Sequence, residues 1–350
     1  MHDAGRSSPL NLTLTKKENR MMDLPKEVVA AETRIRPYIR KTPLDASPYL
    51  SHRGGATVLC KLENFQHTGA FKLRGAMNRL LAMSPEERGR GVVTASTGNH
   101  GAGIAFSLNR LKSSGIVFVP ETTPMAKVQA ITRLGAEVRR HGQDCAETES
   151  HARQFAEQNR MTYISPYNDP LVVAGQGTIA VELAGQAPSV DAVFVALGGG
   201  GLISGIGGYI KSISPKTRII GCSPENSMVM IESVKAGSIL DLPSLPTLSD
   251  STAGGVEPGA ITFDLCRTFV DDYITVTEEE IRESLCSFME AHHMLIEGAA
   301  AVPVAAYLKE CDPYRNKTVV IIICGANISL AALAGVLGKQ GVPGRGLPVK

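Results

Sequence analysis

The 350-residue sequence has no tryptophan, and aromatic residues make up only 5% of it. So few rings argue against an aromatic-rich all-β fold. Charge imbalance is missing too: 36 Lys and Arg face 34 Asp and Glu, a net charge of +2. That balance gives no electrostatic case for a nucleic-acid or membrane partner. No uninterrupted apolar run approaches the roughly 20 residues that span a bilayer. The cysteines (Cys60, Cys145, Cys222, Cys266, Cys286, Cys311 and Cys324) are odd in number and dispersed, with no Cys-x-x-Cys pair. Neither a disulfide framework nor a zinc site is indicated, and a reduced cytoplasmic setting is expected. Residues 1–22 lack the apolar core of a secretion signal. They are expected to form a flexible extension, with Met21 or Met22 as an alternative start, and residues 338–350 a frayed tail.

Glycine, by contrast, is abundant, at 35 residues. Short β-branched runs alternate with helical patterns along the chain. The spacing predicts buried strands at Gly91–Ala95, Ala192–Leu197, Arg218–Cys222 and Val319–Cys324, and further strands at Gly115–Pro120 and Glu137–Arg140. Helices are expected at Ala102–Leu111, Met125–Leu134 and about Ala146–Arg160. Continuous Val/Ile runs belong to parallel sheets covered by helices on both faces. The expected class is therefore α/β, with two open, mostly parallel twisted sheets flanked by helices. Length allows about two domains. Residues 91–163 read as a small domain inserted into a large one, formed by residues 23–90 and 164–337.

Lys72, in the segment HTGAFKLRGA, sits between Phe71 and Leu73 with almost no carboxylate nearby in sequence. A lysine in apolar surroundings loses hydration of its charged form, so its pKa falls and its amine becomes a nucleophile or base. The plainer alternative is a surface lysine with a snorkelling stem. Ligands of open parallel sheets bind beyond the carboxyl ends of the strands, and three strands end in unusual clusters. After Ala192–Leu197 comes Gly198-Gly199-Gly200-Gly201-Leu202, whose backbone N–H groups and following helix start suit a phosphate. A tight strand-to-helix turn is the alternative, while the Gly-x-Gly-x-x-Gly register of dinucleotide sites is not met. After Gly91–Ala95 comes Ser96-Thr97-Gly98-Asn99-His100-Gly101, suited to a carboxylate with Asn99 as a directional donor. An ordinary helix cap by Ser96 or Thr97 is equally open, as is a structural His100. After Val319–Ile323 comes Cys324-Gly325-Ala326-Asn327, where the thiol is either a weak donor to a heterocyclic nitrogen or a buried small hydrophobe.

The segments HTGAFKLRGA, STGNHG, GGGGLISG and CGAN occur in the order and approximate spacing of fold type II pyridoxal-phosphate enzymes, the tryptophan-synthase β type. Over about Val28–Leu333 the chain resembles the serine/threonine dehydratases and serine racemase. GCSPENS at Gly221–Ser227 and TAGGVEPGAITFDLC at Thr252–Cys266 also resemble the hydroxyectoine-utilisation dehydratase branch. The resemblance implies pyridoxal 5'-phosphate as cofactor, bonded to the Lys72 amine. Phe71 would pack on the pyridine ring and Asn99 would hydrogen-bond its phenolic oxygen. Gly198, Gly199, Gly200, Gly201 and Leu202 would hold the phosphate, and Cys324 would face the ring nitrogen. Gly255 would lie in the loop above the ring, and Glu297 in a helix start lining the cofactor. Ser96, Thr97, Gly98, Asn99 and His100 would bind the substrate carboxylate. A homodimer is implied as well.

The implied activity is dehydration of a β-hydroxy amino acid, threonine or serine first, to a 2-oxo acid and ammonia. Alternatives within the class are 3-hydroxyaspartate dehydration, a step of hydroxyectoine breakdown, and racemisation. Outside it stand a non-catalytic ligand-binding protein and a nucleotide-dependent dehydrogenase. Thr97 replaces the serine that serves as second base in serine racemase, which disfavours racemisation. Ser223 and Val229 stand where metal-responsive relatives carry carboxylates, so no Mg²⁺ or Ca²⁺ activation is expected. Ala70 replaces a frequent Ser beside the lysine. The chain ends soon after Asn327, so no C-terminal regulatory domain and a catabolic role are expected.

Overall fold

The computed structural model describes residues 22–338, so most of the expected N-terminal extension and tail lie outside the described residues. Ten strands form two sheets: β1 (Leu44–Ala46), β2 (Thr57–Leu62), β3 (Val92–Ala95), β4 (Gly115–Val119), β5 (Glu137–Arg140), β6 (Thr162–Tyr163), β7 (Ala192–Ala196), β8 (Arg218–Pro224), β9 (Asp272–Val276) and β10 (Thr318–Ile323). The larger sheet runs in the order β1-β2-β10-β7-β8-β9, the smaller in the order β5-β4-β3-β6. Every pairing is parallel except β1 with β2. All four strands of the smaller sheet come from residues 92–163, so the chain leaves the larger sheet after β2 and returns to it at β7.

Strand β10 lies at the middle of the larger sheet, with Val319 paired to Val58 on one side and to Ala192 on the other. Its residues Val319–Ile323 are fully buried, each aliphatic side chain contributing about 1.5–3 kcal/mol of burial. Their β-branched shape suits a strand covered on both faces, which is why the run was legible. Because β10 and β7 are neighbours, their carboxyl ends bring Cys324 and Gly198 to one edge of the sheet.

The helix Pro170–Gln186 joins the two parts of the site. It packs on the helix Lys72–Leu81 and on the helix Gly201–Ile213, which follows the tetraglycine turn. Both contacts run through glycine. A Cβ on Gly175 would lie 2.6 Å from the Cα of Gly75, and one on Gly205 would lie 2.3 Å from the carbonyl oxygen of Val173. Among the described residues no helix is long and apolar enough to cross a membrane.

Several elements differ from the expectation. The helix expected from Ala102 starts at Asn99. Strand β8 extends to Pro224, paired with Val276. Strands β1, β2, β6 and β9 were not anticipated. Strand β2 carries Lys61, which breaks the apolar run yet is fully buried, and β9 lies at a sheet edge with Asp272 exposed.

Candidate active site

Gly69 turns the chain into the lysine segment with φ +73°, and a Cβ there would lie 2.9 Å from the Asn327 side-chain oxygen. An isolated bridge then pairs Ala70 with Gly325, and the Phe71 N–H donates to the Cys324 carbonyl at 3.0 Å. The segment before Lys72 is thereby stitched to the end of β10. Lys72 opens its helix, and its Nζ donates to the Pro166 carbonyl at 2.6 Å and lies 5.3 Å from the centre of the Phe71 ring. Burial lowers its pKa to about 8, against the raising influence of Cys324 and Glu297. The amine is enclosed, held by a neutral acceptor, and partly unprotonated near neutral pH.

Glu297 precedes the helix Gly298–Lys309 and is buried. The Asn99 side-chain amide donates to both its oxygens, at 2.9 and 3.1 Å, and the Asn327 N–H donates to Oε2 at 3.0 Å. The Asn327 side chain in turn donates to Asn99 Oδ1 at 2.6 Å and to the Thr68 carbonyl at 2.9 Å. Burial raises the Glu297 pKa to about 6, against the lowering effect of Asn99. Asn99, Glu297 and Asn327 thus knit the ends of β3 and β10 to a third segment. Burial, followed by the charge of Glu297, pushes the Cys324 thiol well above its ordinary value, so it stays protonated as a weak donor.

The tetraglycine turn is built for backbone approach. Gly200 has φ +85° and precedes the helix Gly201–Ile213, which no side chain caps. A Cβ on Gly198 would lie 2.7 Å from the Thr252 carbonyl oxygen, and one on Gly199 would lie 2.5 Å from the Tyr167 ring. The helix Asn99–Leu111 also starts at a glycine, Gly98, without a side-chain cap. Neither Ser96 nor Thr97 caps it: the Ser96 hydroxyl accepts instead from the Gly98 N–H at 3.3 Å. Two bare helix starts, each with unspent N–H donors, therefore open toward one space. His100 is buried, its Nε2 pairs with the Ile164 carbonyl at 3.2 Å, and burial with the charge of Lys72 lowers its pKa to about 3. It is neutral at working pH.

One cavity of about 480 Å³ collects these groups. Phe71, Lys72, Ser96–His100, Gly198–Leu202, Gly255, Glu297 and Cys324 all line it. Gly255 sits there in the open, with nothing within 4 Å of a Cβ. Sequence reasoning missed Pro166, Tyr167, Lys127, Glu149, Asp250 and Ser251 of the lining, and the part played by Asn327. Of these, only Asn327 stood in a segment already singled out.

The residues present fit pyridoxal phosphate. A side-chain-free turn at a helix start accepts its phosphate, a buried amine of lowered pKa accepts its aldehyde, and a protonated thiol can donate to its ring nitrogen. A family model described as pyridoxal-phosphate dependent enzyme matches residues 35–325. The chain belongs to that family. The L-threonine dehydratase catabolic TdcB of Escherichia coli (strain K12) is 38% identical over 314 residues, covering 89% of this chain and 95% of its own. Processed threonine deaminase isoform 2 from Solanum lycopersicum superposes with a TM-score of 0.87 at 33% identity, over 91% of this chain and 94% of that one. Maize serine racemase superposes with a TM-score of 0.84 at 31% identity, over 90% and 97%. Like other members of the family, the protein depends on pyridoxal phosphate. Among the described residues, no group of three or more His, Cys, Asp or Glu is placed to hold a metal ion. The Ser223 hydroxyl is spent on the Leu197 carbonyl at 2.7 Å.

Proposed function

We propose that the protein is an ammonia-lyase that eliminates water from a β-hydroxy amino acid, threonine or serine first, releasing a 2-oxo acid and ammonia. One observation carries the reading: the half-buried Lys72 amine, its pKa lowered to about 8, lies in the same cavity as the tetraglycine turn. The chain's likeness to proteins named as threonine dehydratase and threonine deaminase, 38% and 33% identical, supports it.

In this reading Lys72 would carry the cofactor, and Gly198–Leu202 would hold its phosphate through backbone N–H groups. Phe71 would pack on the ring, Asn99 would serve the phenolic oxygen and Cys324 the ring nitrogen, with Gly255 and Glu297 bordering it. When bound, the cofactor supplies the electron sink that lets a Cα proton depart. The rest falls to the chain's own groups. The bare helix start at Ser96–His100 binds and orients the substrate carboxylate. The freed Lys72 amine, unprotonated in useful fraction because its pKa is near 8, takes the Cα proton. His100, held neutral, neither adds charge beside the lysine nor competes as a base. Lys72→Ala should lose both the absorbance band of the lysine-bound cofactor and release of 2-oxo acid from threonine or serine. A Lys72→Ala protein that still eliminates water ends the assignment.

The same reading takes the protein as a cytoplasmic homodimer. The apolar helix Leu330–Gly338 leaves Leu330 85% and Leu337 48% exposed, and Phe65 and Leu295 are exposed too. Sedimentation at micromolar concentration tests the dimer.

A further inference from the structure

The Lys72 amine donates to the carbonyl of Pro166, which stands just before the helix Pro170–Gln186. Lys72 itself opens the helix Lys72–Leu81. Their 2.6 Å contact therefore depends on how the two helices are set against each other along their axes. The surfaces meet closely through glycine, and the Gly75 N–H donates to Gln176 Oε1 at 3.2 Å. Backbone meets backbone at Gly75 and Gly175: a Cβ on Gly75 would lie 2.7 Å from the Val172 carbonyl oxygen. No side-chain ridge is seated in a groove at that point. A slip of one turn, about 5.4 Å, would carry Lys72 away from Pro166 and from the glycine turn.

Buried polar groups add ties of fixed direction to that close fit. Arg74 is wholly buried. Its Nε and Nη2 donate to the two oxygens of Glu63 at 2.7 and 2.8 Å. Its Nη1 donates to Glu182 at 2.8 Å and to the Thr178 hydroxyl at 3.1 Å. Glu63 follows β2 of the larger sheet, while Thr178 and Glu182 belong to the helix Pro170–Gln186. One planar guanidinium thus ties the lysine's helix to both neighbours in fixed directions. Glu182 also accepts from Lys61 at 2.6 Å, so the buried Arg74 and Lys61 face the buried Glu63 and Glu182, while the half-buried Arg36 reaches Glu182 at 2.5 Å and pairs with Glu32 as well. Farther along, Asn78 donates to the Leu171 carbonyl at 2.7 Å and Arg79 to Asp169 at 2.8 Å. Buried ion pairs lose much of their attraction to desolvation, and fixing register is their best-attested use.

We propose that Arg74 is a positioning residue for Lys72, its buried bonds to Glu63 and Glu182 setting the axial register that aims the lysine amine into the cavity. The inference rests on Lys72 being the cofactor-bearing amine. It works through placement and not through charge, because the groups that act electrostatically on Lys72 are Cys324 and Glu297.

Two variants test it. Arg74→Met/Glu63→Gln removes one charge of each sign and leaves Glu182 with Lys61 and Arg36. Arg74→Lys keeps the charge but cannot reach both carboxylates in a fork. Three quantities are read: the thermal midpoint, the cofactor dissociation constant from its absorbance, and the pH midpoint for labelling Lys72 with an amine reagent. The last is followed by mass spectrometry on the full chain stripped of cofactor. Both variants are expected to keep native circular dichroism, bind cofactor more weakly, and label Lys72 with a midpoint raised from about 8 toward that of an ordinary lysine. In the loaded enzyme kcat should fall by up to roughly a hundredfold, the cost of a displacement of about 1 Å. A merely structural role would lower the thermal midpoint and leave the labelling midpoint of folded protein unchanged. Should the double variant not fold, Arg74→Lys decides alone. Native cofactor affinity and labelling midpoint in a folded variant overturn the proposal if Lys72→Ala has lost the cofactor band. If Lys72→Ala keeps that band, the cofactor assignment of Lys72 is what fails.

Discussion

With cofactor removed, the loss of its own hydration is the largest influence on the half-buried Lys72 ammonium. Its pKa falls from 10.5 to about 8, and at about 1.4 kcal/mol per tenfold change in proton affinity this amounts to about 3 kcal/mol. Below pH 8 the lysine is protonated in folded and unfolded chains alike, and the full cost weighs on the folded state. Between about 8 and 10.5 the unfolded chain binds more protons, so stability rises with pH; above that window the cost is gone. Lys72→Met removes the charge and also the hydrogen bond to Pro166, the latter a loss of about 1 kcal/mol. Cofactor-free Lys72→Met should therefore be more stable than the parent by about 2 kcal/mol at pH 7. The advantage should shrink from pH 8 upward and turn into a small deficit near pH 10.5. Urea unfolding of both cofactor-free proteins at four pH values measures it, since every other titrating group cancels in the difference. Parallel pH profiles for the two proteins would refute the buried-ammonium account.

Two further outcomes follow from the same site. Gly199→Ala should leave the fold intact but weaken cofactor binding, because its Cβ would press to 2.5 Å from the Tyr167 ring; an unchanged dissociation constant in a spectral titration would mean the turn is only a turn. Glu297 holds its proton more tightly when folded, with a pKa of about 6 against 4.5. Cofactor-free protein should thus lose about 2 kcal/mol as pH rises from 4.5 past 6. Glu297→Gln should lack that fall, and urea unfolding across the window tells the two apart.

Much of the fold was legible because strands covered on both faces must be continuous and β-branched, as β3, β4, β7 and β10 are. What stayed hidden were elements whose chemistry is completed far along the chain. Lys61 breaks the pattern of β2 and becomes acceptable inside only because Glu182, 121 positions away, meets it at 2.6 Å. The cavity was legible where backbone conformation demanded a residue type, as at Gly198–Gly201, or where an amine lacked a local carboxylate, as at Lys72. Pro166 was not, since it contributes a carbonyl that any residue could supply. Tyr167 contributes a ring wall known only once the turn packs on it. Asn327 stood in a quoted segment, yet the two bonds of its side chain, to Asn99 and Thr68, exist only after the ends of β3 and β10 meet. The capping alternative for Ser96 and Thr97 was decided the same way: the structure leaves that helix start bare.

The bare starts explain why this cavity tolerates so few ordinary stabilising contacts. A glycine in place of a capping side chain forgoes only a few tenths of a kcal/mol, and around this cavity the helices that open at Asn99 and Gly201 have glycine there. Unspent N–H groups at a helix start are most useful to an anion, and the proposed reaction brings two, a phosphate and an α-carboxylate. Between them the chain places an amine whose lowered pKa leaves it partly unprotonated near neutral pH, and so able to take a proton. In the proposed reading the ring nitrogen would meet the Cys324 thiol, which burial and Glu297 keep protonated. Such a weak acid does little to hold positive charge on a pyridine nitrogen, so carbanion character must be relieved quickly. Loss of a β-hydroxyl does that, which is why this donor set favours elimination over slower amino transfer.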